Sequence, residues 1–217
     1  MTTIDEQSSA AHAAPETAAD SGAAAANPAL VGVPTFVIGS VALGLYLIGF
    51  TGSSNAAIGM VPILFASNGL GQLIACIWAA RTGQGAVASV FAIFGAFWIS
   101  FPLLVLGLAH NWFGDATAPG AATGAQVTFL LTWLVGIVML TVASLRLPSV
   151  FTLLFVLVDA ALILVLLGTA LGSTGLLAVG GICVFAFALV GVYLFFDAMS
   201  VANGGSSLPM GRPLIKS

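Results

Sequence analysis

SVFTLLFVLVDAALILVLLGTAL, residues 149–171, is an unbroken apolar run with one charged side chain, Asp159, near its middle. A helix rises about 1.5 Å per residue, so a run of this length crosses the roughly 30 Å of a bilayer's hydrocarbon. It lacks the polar face of a soluble helix and the strict alternation of a membrane β-strand. The stretch reads as a transmembrane helix.

Five further runs of the same kind flank it, at 30–50, 57–80, 86–109, 125–145 and 176–200. Between them lie turn-forming segments: TGSSN at 51–55, RTGQG at 81–85, HNWFGDATAPGAATG at 110–124, RLP at 146–148 and GSTG at 172–175. Across the 217 residues the chain is 60% hydrophobic and 5% charged, with a mean hydropathy of +1.17. A soluble domain is about a quarter charged. The expected fold is therefore all-α, a polytopic membrane protein built as a six-transmembrane-helix bundle.

Charge fixes the direction of the spans. Arg81 follows the second run, Arg146 the fourth, and Arg212 and Lys216 the sixth. An even count of spans puts all four cations on one side, and the positive-inside tendency makes that side the cytoplasm. Both termini are then cytoplasmic, in a multi-pass protein of the cell membrane (plasma or inner). Residues 1–26 hold Asp5, Glu6, Glu16 and Asp20 among Ala, Ser and Thr without an aromatic residue, and read as a disordered acidic tail. Residues 27–200 form the membrane domain, and 201–217 a cytoplasmic C-terminal tail.

The same composition removes several function classes. There is no basic patch for nucleic acid, no phosphate-binding glycine loop and no catalytic Ser, His and Asp set at one depth. Cys76 and Cys183 sit in apolar runs and His12 and His110 outside them, so no metal ligand set is expected. The reading is of a protein that is not an enzyme, uses no cofactor and has membrane lipids as its surroundings.

What remains is a short set of polar groups at membrane depth. Asn68 and Gln72 are four residues apart on one face of the second helix. Their carboxamides can bond a neighbouring helix or supply neutral donors to a passing solute, and both readings stay open. Asp159 is the acid expected near the midplane, either a neutral carboxyl bonded to another helix or a proton-handling group. Asp197, near the cytoplasmic end of the sixth run, reads as an interfacial carboxylate with water and arginine within reach. Small residues at 88, 92, 96 and 100, and glycines at 39, 44 and 49, let helices approach closely within one protomer or between subunits.

NPALVGVPTF at 27–36 resembles the NPAPLGL motif of the acetate uptake transporter family, the succinate and acetate permeases. Asn27 and Pro28 also suit a helix start, as cap and first helical residue. The resemblance continues through GLGQLIACIWAARTGQG at 69–85, FAIFGAFW at 91–98, VYL at 192–194 and LPMG at 208–211. It implies a six-helix protomer with a central pathway, assembled as a homo-hexamer, for acetate and related small monocarboxylates and also the dicarboxylate succinate, with protons as the coupled species. A channel-like pathway is the alternative, and a structural or sensing protein without flux a third. The family's constriction falls on Phe36, Phe94 and Val158, a glutamine of its pathway on Gln72, and its opening motif on Asn27, Pro28 and Gly32; from the residues themselves Asn68 joins Gln72 as expected polar lining, and Asp159 is the candidate proton-linked group. This chain departs from the pattern with Phe94 for a tyrosine, Val158 for a leucine, Leu30 for a proline and Ala79 for an acid.

Overall fold

Six helices long and apolar enough to cross a bilayer are present among the described residues: α1 (Ala29–Leu47), α2 (Ala57–Arg81), α3 (Gly85–His110), α4 (Ala121–Ser144), α5 (Ser149–Leu171) and α6 (Thr174–Ala202). The computed structural model describes residues 27–50, 52 and 56–215. The acidic segment 1–26, most of the turn at 51–55 and Lys216 lie outside the described residues.

The helix ends follow local chemistry. Asn27 Oδ1 accepts the Ala29 N–H at 3.0 Å, and Pro28 already has helical angles, φ −58° and ψ −22°. A proline at the first helical position costs nothing, because its missing N–H would have had no partner. α1 stops three residues short of the apolar run because Gly49 turns left-handed at φ +68°. α5 ends on Gly172, also left-handed at φ +63°, and the Ser173 Oγ then caps α6 by accepting the Leu176 N–H at 3.3 Å. In the loop between α3 and α4, Asp115 accepts from the Thr117 hydroxyl and the Thr117 N–H. These bonds hold its carboxyl below the usual aspartate range.

α2 departs from a regular helix. Pro62 lacks the N–H of an α-helical bond, and residues Leu64–Leu70 just after it wind as a π-helix. The wider turn carries Asn68 and precedes Gln72, and both amides point at α1.

Around the bundle the helices follow chain order: α1 lies against α2 and α6, α2 against α3, α4 against α5, and α5 against α6. The α3–α4 seam is the thinnest and is bridged by rings, with Phe97 facing Phe129 at 5.9 Å and Trp133 at 5.5 Å. Glycines set the closest approaches. Gly39 presents a bare backbone to the Asn68 carboxamide, and Gly44 to the Phe185 ring. A Cβ at Gly181 would lie 3.2 Å from the Gly44 carbonyl oxygen, and one at Gly191 would lie 2.8 Å from Val37.

The chain does not trail away after α6. The Asp197 carboxylate accepts the Ser207 hydroxyl and the Leu208 N–H, each at 2.7 Å, and the Tyr193 hydroxyl donates to the Pro209 carbonyl at 2.8 Å. Val150 N–H, in the first turn of α5, donates to the Met210 carbonyl at 3.2 Å, while Leu145 O accepts from the N–H groups of Leu214 and Ile215. Helix ends leave such groups without intrahelical partners, and here the returning segment supplies them. The partners of Asp197 are thus this segment rather than arginine.

Gly39→Ala puts a methyl where the Asn68 amide now rests. The variant should lose about 1 to 3 kcal/mol of stability, read as a lower melting temperature in detergent. Gly59→Ala, on an open stretch of α2 with nothing within 4 Å, should melt with the parent protein.

Candidate functional site

Aromatic side chains close the centre of the ring. Phe36 of α1 meets Phe94 of α3 edge-on at 5.3 Å between ring centroids, Phe187 of α6 at 5.4 Å and Trp98 of α3 at 6.2 Å. Phe94 in turn stacks on Phe155 of α5 at 6.0 Å. All five are buried, so four helices contribute to one plug. Such ring pairs add about 0.5 to 1.5 kcal/mol each beyond the area they bury.

Beside the plug is a cavity of about 50 Å³, walled by Leu43, Phe94, Trp98, Ile137, Val158 and Phe187 among others. Its other walls, Leu47 of α1 and Val165 of α5, lie in the second halves of those helices, and Leu130 in the first half of α4. In the alternating bundle that is the half away from the chain ends. The space exceeds what one water needs, and its lining residues are all apolar or aromatic; the one polar side-chain group among them is the indole N–H of Trp98, which is buried without a partner.

On the other flank of Phe36, two amides bind α1. Asn68 Nδ2 donates to the Phe36 carbonyl at 3.3 Å, and Gln72 Nε2 donates to the Gly32 carbonyl at 2.7 Å. Both residues are almost fully buried, at 0% and 1% exposure, and neither Asn68 Oδ1 nor Gln72 Oε1 has a partner. A carbonyl only accepts, so the nitrogen of each amide must face α1 and the oxygen is the end left over. Of the two readings left open for these amides, the geometry shows the bond to a neighbouring helix; each nitrogen uses one of its two N–H groups there, and each oxygen is an acceptor without a partner.

Phe36, Phe94 and Val158 come together, the first two in direct ring contact and the last two on one cavity wall. The opening motif reaches the same region through Gly32, whose carbonyl holds Gln72 and whose bare backbone lies against the Phe91 ring. Asp159 stands apart. Although next to Val158 in sequence, it turns to α4, where Thr141 Oγ1 lies 2.6 Å from its Oδ2, and its buried Oδ1 has no partner. Phe155, Phe187 and Trp98 escaped the sequence reading. Trp98 follows Phe94 by four residues and Phe155 precedes Val158 by three, spacings that share a helix face, but nothing in an all-apolar helix marks that face as inward.

A family profile described as the GPR1/FUN34/yaaH family matches residues 10–209. Acetate permease A of Emericella nidulans is 28% identical over 150 residues, covering 66% of this chain and 49% of that protein. Accumulation of dyads protein 2 of Saccharomyces cerevisiae is 26% identical over 194 residues, covering 87% of this chain and 65% of that protein. The chain thus spans from about half to just under two thirds of these fungal relatives. An uncharacterised protein of Methanothermobacter thermautotrophicus is 26% identical over 159 residues, 72% of this chain and 76% of that one. Among solved structures, the bacterial acetate channel SatP superposes with a TM-score of 0.74 at 20% identity, over 86% of this chain and 99% of that one, and shares its fold. With nearly the whole chain inside the family profile and the six-helix fold in common, this protein belongs to the GPR1/FUN34/yaaH family.

Proposed function

We propose that the bundle carries acetate and related small monocarboxylates across the cell membrane, with a proton cancelling the charge on the way. The observation that carries this reading is the plug: four phenylalanines and a tryptophan from four helices, with no charged side chain among them, between an apolar cavity and two amides. The fungal relative named as an acetate permease supplies the substrate class.

A carboxylic acid with a pKa between about 4 and 5 is well under one per cent protonated at neutral pH. Its anion meets no Lys or Arg at this plug and would lose its hydration there at a cost of several kcal/mol. The undissociated acid is a different ligand: its O–H is a donor, and the free ends of Asn68 and Gln72 are acceptors. The two free acceptors and the absence of Lys and Arg from the plug support the proton-coupled reading. Phe94 supplies no hydroxyl to the constriction, so a second carboxylate, as in succinate, would have to cross without a partner. Arg81 ends α2, Arg146 follows α4 and Arg212 follows α6, and a cytoplasmic side for them puts the C-terminal segment there too. A homo-hexamer of such protomers is the assembly that the family resemblance implies.

In proteoliposomes, labelled acetate uptake should rise several-fold when a proton gradient is directed inward, and unlabelled monocarboxylates should compete better than succinate. Uptake indifferent to the gradient would favour a passive channel, and no uptake would leave a structural or sensing role. Phe187→Ala removes one ring of the plug. Gradient-independent leak should increase by about tenfold, corresponding to about 1.4 kcal/mol off the barrier, with a stability loss of about 3 to 5 kcal/mol seen in the melting curve.

A further inference from the structure

The α4–α5 seam carries a polar pair away from the plug that the pathway itself does not use. Thr141 Oγ1 lies 2.6 Å from Asp159 Oδ2 and 3.1 Å from the Ile137 carbonyl oxygen one turn back. A hydroxyl has one proton and can donate it once. Both contacts are hydrogen bonds together only when the Asp159 carboxyl holds its own proton and donates it to Oγ1, leaving the Thr141 proton for Ile137. When the carboxyl is ionised, the Thr141 proton turns to Oδ2 and the Ile137 bond is released. The pair has two internally consistent states that differ by one proton, and 2.6 Å suits an O–H···O bond in either.

Each member of the pair is joined to a residue of the cavity wall. Ile137 lines the cavity and is the residue whose carbonyl gains or loses the Thr141 bond; Val158 lines it too and precedes Asp159 in the chain. A turn further toward the chain ends, the Ser144 and Thr152 side chains bond each other at 3.2 Å, and Thr152 also donates to the Ser144 carbonyl at 3.0 Å, pinning the seam below Asp159. Among the described residues no ion pair is made at the carboxyl, and the cations of the packed elements, Arg146 in the α4–α5 turn and Arg212 in the C-terminal segment, belong to the end of the seam beyond Ser144 and Thr152. α4 has no titratable side chain; α6, on the other flank of α5, has Cys183, Tyr193 and Asp197, the last two engaged by the C-terminal segment. α3, reached through Phe94 and Phe155, has only His110, at its end.

We propose that Asp159 and Thr141 form a proton-dependent switch, Thr141 acting as the positioning residue, that sets the α4–α5 seam and through Ile137 and Val158 the shape of the cavity. In the step itself the carboxyl O–H breaks, its proton leaves to a water molecule, and the Thr141 O–H rotates from the Ile137 oxygen to the carboxylate; no other bond changes. The solute and the switching proton thereby occupy different places, the ring centre and a helix seam. The inference rests on the transport reading only for its flux measurement.

Two measurements on purified, folded protein test it. Infrared difference spectra between acid and alkaline buffer should show a protonated-carboxyl band that is absent from Asp159→Asn. Thr141→Val should move the midpoint of that band's titration by about one pH unit, the equivalent of one hydrogen bond to a charged group, while Thr141→Ser should keep it in place. In proteoliposomes the acetate uptake of Asp159→Asn should no longer vary with pH, and that of Thr141→Val should shift with its infrared midpoint. A band unchanged in Asp159→Asn, or a Thr141→Val midpoint identical to the parent's, overturns the switch whatever the flux. Infrared changes as expected in a protein that moves no acetate would keep the switch and overturn the transport reading. Parent-like pH dependence of uptake in Asp159→Asn would overturn the coupling of the switch to the cavity.

Discussion

In hydrocarbon, pressing one apolar helix against another releases no water, so shape and a few polar bonds must do what the hydrophobic effect does elsewhere. α1 is where this constraint is met most fully. Its neighbours reach its backbone on both sides, the Asn68 amide lying on Gly39 and Gly181 of α6 facing the Gly44 carbonyl. Two amides of α2 bond its carbonyls at Gly32 and Phe36, four residues apart on each helix. That placement sets Phe36, and Phe36 sets the plug, since Phe94, Trp98 and Phe187 all pack on its ring.

The π-helical turn of α2 belongs to the same arrangement. It carries Asn68 just ahead of Gln72, and both amides meet α1 at once. Their nitrogens do so and their oxygens remain buried without partners. A buried acceptor without a partner is costly, about 1 to 3 kcal/mol. Natural structures keep such groups where a ligand or water will meet them.

The number of helices could be read from the chain because charge and apolar length are global signals: the run at 149–171 matches α5 end to end, and the cations punctuate every second helix. The ends shifted where local geometry intervened, as at Gly49, or at α4, which begins at Ala121 rather than 125. Which side of each helix faces inward was much less legible. With apolar residues all round, Phe155 and Leu153 look equivalent in sequence, yet one is 3% exposed and the other 51%. Resemblance placed Phe36, Phe94 and Val158, and spacing placed Asn68 with Gln72; the partners Phe155, Phe187 and Trp98 needed coordinates. The π-turn also has no sequence signature beyond Pro62. The fastening of residues 206–215 joins groups far apart in the chain, such as Tyr193 with Pro209 and Leu145 with Ile215, and only the folded bundle brings them together.

The pairing of α1 with α6 has a consequence for biosynthesis. These are the first and last spans of the bundle, so the seam between them can form only after every intervening helix has left the insertion machinery. Until then Phe36 lacks Phe187, and the ring is an open arc with its inner face toward lipid. The early helices must wait in the membrane without that seam, and a ribosome that stalls before α6 leaves a product in which the ring is not closed. On the proposed transport reading, permeation would be deferred to the moment of completion, and an unfinished chain would pose no leak.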